Sequence, residues 1–218
     1  MFRFLLFLLL ASLAPFRAIA FTPLPLPQVN TDLRTWTGGG AYSPLFPGTS
    51  TFNGVPFSLI LDPSGNNVFI GTLDIPVGIY GVTHAYTLIS GAWGQFGATV
   101  GSVQFLATNG VTFTVNLVEG VNVRDHFNGG YNNVIDGTHA IPAFDSGGAR
   151  IDQQLYTLPT AFATETLLTI RFTSSGFNPI GQPFLAAVTV AAVPEPTVLP
   201  LLLAGLSVWC LGRGRPRS

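Results

Sequence analysis

From residue 31 to residue 192 apolar positions tend to recur at every second residue, in short runs cut by Gly, Asn, Asp and Pro. In "VTFTVNL" (111 to 117), Val111, Phe113, Val115 and Leu117 fall on one face and Thr112, Thr114 and Asn116 on the other, the period of a half-buried strand. "LLTIRFT" (167 to 173) sets Leu168, Ile170 and Phe172 against Thr169, Arg171 and Thr173, and "PFLAAVTV" (183 to 190) is a run of small and β-branched residues. Further strands are predicted at "PFSLIL" (56 to 61), "NVFIGTL" (67 to 73), "YGVTHAYTLI" (80 to 89), "GSVQFLA" (101 to 107) and "IDQQLYTL" (151 to 158). Only "TAFATET" (160 to 166) reads as a short helical turn. Short strands separated by turn residues predict an all-β fold, an antiparallel β-sandwich of the jelly-roll type, over residues 31 to 192. The long amphipathic helices that alternate with strands in an α/β fold are missing, and no period of repeats appears.

The two ends follow a different pattern. "MFRFLLFLLLASLAPFRAIA" places Arg3 before an apolar run and ends on Ala18-Ile19-Ala20, a small-x-small exit. This predicts a helical signal peptide over 1 to 20, cut by signal peptidase after Ala20. Residues 21 to 30, "FTPLPLPQVN", form a Pro-rich, extended lead-in. At the other end, 197 to 212 is an apolar run followed by Arg213, Arg215 and Arg217. Sixteen helical residues span about 24 Å at ~1.5 Å each, short for a hydrocarbon core of about 30 Å. The flanking arginines nonetheless orient it as a short transmembrane helix with a cytoplasmic end.

Removing the ends changes the charge and the redox picture. The only cysteine, Cys210, lies in the C-terminal apolar run, so no disulfide can staple the domain and its stability must come from core burial. Between Phe21 and Val193 four arginines face nine acids, a net of −5. With no lysine in the chain and no basic stripe, nucleic acid is excluded as a partner.

Candidate chemistry concentrates in "EGVNVRDHFNGGYNNVIDGTH" (119 to 139). Asp125, Asn128 and Asp136 are hard oxygen donors in a Gly-bearing loop, and calcium is the cofactor such donors could hold; the same residues are also what a long surface loop is made of. Asp125 and His126 are adjacent, and neighbours in an extended segment point to opposite faces, so they do not form a base and its orienting partner. An ion pair from Arg124 to a carboxylate is the expected role there. No nucleophile elbow or metal-ligand spacing accompanies the three histidines, and no catalytic residue is assigned. Trp36, Trp93 and Tyr131, with Tyr42, sit in Gly-rich loops, where they either stack on sugar rings or fold back over the core.

Two resemblances add to this reading. "TFNGVPFSLI", "VTHAYTLISGAWGQFG", "LVEGVNVRDHFNGG", "ARIDQQLYTLP" and "FLAAVTV" resemble the galactose-binding-like jelly-roll domains of bacterial surface proteins, over about residues 45 to 190. That resemblance implies a jelly roll, with an extracellular polysaccharide as partner or a structural calcium. Val193-Pro194-Glu195-Pro196, the apolar run containing Gly205-Leu206, and the terminal arginines, together 193 to 218, resemble a PEP-CTERM sorting signal. It departs from the commonest form in Pro200 and in arginines spaced by Gly and Pro. The resemblance implies a Gram-negative bacterium, transient anchoring in the inner membrane, handling by an exosortase, and delivery to the cell surface or extracellular matrix. There the expected role is non-enzymatic, in adhesion or structure; carbohydrate binding through the loop aromatics is the alternative, and a glycan-active enzyme the third.

Overall fold

The computed structural model describes residues 19 to 178 and 180 to 193. The segment 1 to 18, predicted to be the body of a signal helix and including Ala18, the span 197 to 212, and Pro194, Glu195, Pro196, Arg213, Arg215 and Arg217 lie outside the described residues. Within them the chain is an all-β structure of eleven strands, β1 (Ala20–Leu24), β2 (Gly48–Phe52), β3 (Val55–Leu59), β4 (Thr72–Tyr80), β5 (Val82–Ala92), β6 (Thr99–Ala107), β7 (Thr112–Val118), β8 (Ala140–Ser146), β9 (Ala149–Thr157), β10 (Thr166–Ser174) and β11 (Gln182–Ala192). The predicted turn at 160 to 166 is a 3-10 helix, Thr160–Thr164. Among the described residues no helix is long and apolar enough to cross a membrane.

All ladders between these strands are antiparallel. One sheet has the order β1-β11-β5-β9-β8 and the other β4-β10-β6-β7, with β2 and β3 forming a separate hairpin. The two sheets share a core: Leu73, Ile75, Phe105 and Phe172 from the four-stranded sheet meet Ala85, Ile89, Val188 and Val190 from the five-stranded one. A second cluster covers the opposite face of the five-stranded sheet, where Phe184, Ala186, Ala187 and Leu88 meet Phe57 and Leu59 of the hairpin and Leu33 and Tyr42 of the 3-10 turns. β11 is thus buried on both faces, which is why its sequence runs small and apolar throughout instead of alternating.

β11 also fixes which ends of the molecule carry what. Ala20 of β1 pairs with Ala192 at one end of β11, while Gln182 at its other end pairs with Ala92, next to Trp93.

Three local readings differ from the structure. Residues 67 to 71 make only isolated bridges, Thr31 to Val68 and Phe69 to Leu185, because the buried Asn67 side chain ties this segment to Leu33 N and Asp32. The strand begins at Thr72 and continues through Pro76, whose missing N–H is tolerated because β4 is a sheet edge. In β10 a bulge between Leu167 and Thr169 shifts the alternation, so Leu167 is buried and Leu168 is 47% exposed. Finally, the Pro-rich stretch from 21 is extended, as its composition predicts, but it is integral: Phe21 to Leu24 belong to β1, and Leu24, Leu26 and Val29 enter the core between the sheets.

Candidate functional site

At the end of β5 the chain must turn without losing its hold on the neighbouring loop. Trp93 does so in a left-handed conformation, φ 60°, stabilised by its amide donating to Asp125 Oδ2 at 2.7 Å. Asp125 Oδ1 accepts from Phe127 N at 2.9 Å. The segment 124 to 126 lies along Gly91 as a short parallel bridge, with Gly91 N donating to Arg124 O and His126 N donating to Gly91 O. On its far side Arg124 closes a bidentate pair on Asp152 of β9, at 2.6 and 2.8 Å, which is the ion pair expected of Arg124.

This pinning creates a cleft of about 580 Å³ lined by Trp36, Trp93, Asp125, His126, Phe127 and Tyr131, with Gly129, Gly130 and the backbone around Trp36 closing it. Three of the four loop aromatics singled out by sequence therefore converge, and the fourth, Tyr42, is fully buried. Trp36 and Trp93 stack at 6.2 Å between ring centroids with an interplanar angle of 27°, and Tyr131 is 45% exposed at the rim. Trp36 packs edge-on against Phe184 of the core, at 5.8 Å, and also lines the cleft.

Beneath the cleft is a polar hub whose charges are muted. His126 is buried, stands edge-on to Trp36, and its Nδ1 meets Tyr42 Oη at 3.2 Å. Burial, with Arg150 nearby, pushes His126 down to about 4, so it is neutral at pH 7. Tyr42 is fully buried, accepts from Arg150 N, and has His126 O and Arg150 O within donating distance. Burial raises the Tyr42 hydroxyl above its ordinary range, keeping it an un-ionised donor. Arg150 spreads over the carbonyls of Asp125 and Phe127 and the amide oxygen of Asn133. Burial also raises Asp125, against the pull of the two amides and Arg150.

The proposed calcium donors are placed differently from one another. Asp125 is buried under the cleft with both oxygens on amides; Asp136 accepts from Thr138 N, His139 N and, at 2.5 Å, meets His139 Nδ1; Asn128 is exposed. Among the described residues no group of three His, Cys, Asp or Glu is gathered as a metal site. Ala20 is the first residue of β1, and Val193 follows β11 directly.

Glu119, in sequence one more oxygen donor of the 119 to 139 stretch, is enclosed instead of facing a loop surface. It is 0% exposed and its Oε2 accepts from Asn132 Nδ2 at 2.8 Å, while Oε1 has no partner among the described residues. Gly91, Gly94 and Gly181 crowd the carboxyl so closely that a Cβ on Gly91 or Gly181 would stand 2.9 or 2.7 Å from Oε1, and one on Gly94 closer still to Oε2. Burial lifts the Glu119 carboxyl to about 7, with Asp125 adding to the rise and Asn132 opposing it. The signal available in sequence was three glycines, but they are scattered over ninety residues. No family model matches the chain, and no curated protein matches it.

Proposed function

We propose that this protein is an exported, non-enzymatic binding module whose cleft takes a saccharide ring against Trp36 and Trp93, with Tyr131 at the rim. The convergence of those three aromatics on one cleft carries the reading: flat apolar faces stack on the C–H face of a sugar, and a pocket of a few hundred Å³ with a few polar groups suits such a ligand. A catalytic reading is weaker because Asp125 holds two backbone amides and His126 is neutral and tied to Tyr42, so neither is arranged to exchange protons with a ligand. We read the fold more finely as a jelly roll. Omitting β8 and the β2-β3 hairpin, the orders β1-β11-β5-β9 and β4-β10-β6-β7 follow the interleaved strand order of two Greek keys, which also supports the galactose-binding-like resemblance.

Glycan-array binding by the parent protein tests the cleft. Trp93→Ala and Tyr131→Ala should each weaken binding about tenfold, or ~1.4 kcal/mol, the scale of an aromatic anchor, with the melting temperature as control. Binding that survives both of these and Trp36→Ala would remove the aromatic platform.

Export and sorting rest on the two ends, read as a signal peptide and a PEP-CTERM tail that deliver the domain to the cell surface or matrix. Cleavage after Ala20 keeps Phe21 to Leu24 for β1, and cleavage beyond Val193 keeps all of β11, so processing is compatible with the fold. Mass spectrometry of the exported protein should find both ends gone; a mature chain still carrying Arg213 to Arg217 would overturn exosortase processing.

A further inference from the structure

The four edges of the two large sheets are not alike. Three carry a proline within the strand, Pro23 in β1, Pro76 in β4 and Pro142 in β8, and a proline cannot donate to an added strand. β4 and β8 also carry Asp74 and Asp145. β7, the fourth of these, has neither proline nor charge, a feature it shares with β2 of the separate hairpin, and an edge left bare in this way is a template for another strand.

The direction of its backbone groups can be read off. Ala107 N donates to Val111 O at 2.8 Å, so by alternation the hydrogen-bonded pairs of β6 and β7 fall at Phe105 with Phe113 and at Val103 with Val115. The amides and carbonyls of Thr112, Thr114 and Asn116 therefore point away from the sheet. The Asn122 side chain closes the far end of this row, donating to Asn116 O at 2.9 Å and accepting from Val118 N at 2.7 Å. The N–H and C=O of Thr112 and Thr114 are left without a partner among the described residues.

We propose that β7 is a homotypic interface, pairing antiparallel with β7 of a second copy about a twofold axis beside Phe113, so that Thr112 of each copy exchanges backbone hydrogen bonds with Thr114 of the other. The unfilled set is self-complementary: two residues, two positions apart, each with one donor and one acceptor, are what an antiparallel copy presents in return. The axis brings the two Phe113 rings together as a cross-strand aromatic pair and sets Thr112 against Thr114 on the other face. Charge at the strand itself allows the same occupant: β7 has no charged residue to set against its like, whereas a copy brought to β8 would set Asp145 near its like, and Asp74 of β4 is held by Arg171. Phe113 and Val115 also wall a groove of about 420 Å³ together with Leu155, 40% exposed, and the incoming strand would cover its mouth.

The test takes the full-length chain through a concentration series by analytical ultracentrifugation and amide hydrogen exchange. Thr114→Pro removes one outward N–H and spares the β6 ladder; Thr114→Lys keeps the amide and adds a charge beside the axis on both copies. The parent is expected to reach twice the single-chain mass, with exchange at Thr112 and Thr114 slowing in step, and both variants to show half that mass at the parent's melting temperature. If Thr114→Pro does not fold, Thr114→Lys decides. A parent that stays at single-chain mass, association that both variants retain, or protection of Thr112 and Thr114 that appears only on adding an extended peptide would each overturn the homotypic interface.

Discussion

Glu119→Gln is expected to match the parent in stability at pH 4.5 and to exceed it by about 3 kcal/mol at pH 7. A carboxyl lifted from 4.5 to about 7 by burial keeps its proton in the folded state while the unfolded chain has lost it, so folding binds a proton throughout that window. Stability is then fully present below pH 4.5 and drains away as pH rises to 7, at about 1.4 kcal/mol per pH unit. Glutamine is a neutral isostere that keeps an acceptor for Asn132 Nδ2 and removes the drain.

The parent should nonetheless show less of this slope, because His126 opposes it. Its folded value near 4 lies below the ordinary 6.5, so the unfolded state binds the extra proton between pH 4 and 6.5 and stability grows as pH rises through that window, by a similar amount. The Glu119 and His126 slopes oppose each other in the parent; in Glu119→Gln the His126 rise is no longer offset by Glu119. Asp125 and Asp152, also raised by burial, are common to both proteins and drop out of the difference. Urea unfolding at half-unit pH steps measures it, and a gap between the two proteins that does not change with pH would mean that Glu119 is already ionised in the fold.

Arg124→Ala should be the most damaging single change at the loop, costing about 3–5 kcal/mol. Asp152 has no exposed side-chain surface and Arg124 only 11%, so removing the guanidinium strands a buried carboxylate. Replacing both partners by apolar residues of similar volume, Arg124→Met with Asp152→Leu, should recover most of the loss, since neither desolvated charge then remains. The exposed pair Arg171–Asp74, half open to water on both sides, should be worth under ~1 kcal/mol by the same measurement. A double variant as unstable as the two single losses added together would show that the pair's geometry, and not its charge, holds the loop.

How much of this was legible beforehand divides along the nature of the signal. Period-two alternation marks a strand with one face in the core, so β6, β7 and β10 stand out in the sequence at nearly their observed bounds. It fails where a strand lies at a proline-bearing edge, as in β1, β4 and β8, or where a bulge resets the phase, as at Leu168. The site divides the same way. Trp36, Trp93 and Tyr131 announce themselves by chemistry, and their loops do meet. Tyr42, Arg150 and Glu119 act through partners between 13 and 108 positions away in the chain, and spacing carries no trace of such contacts.

The pairing of Ala20 with Ala192 places both exits from the folded domain at the end of β11 remote from Trp93. Eleven strand residues at ~3.3 Å separate the two, roughly 35 Å. The aromatic cleft thus lies at the end of β11 opposite the pairing of Ala20 with Ala192, so a change of sequence at that pairing reaches the cleft only through the length of the strand.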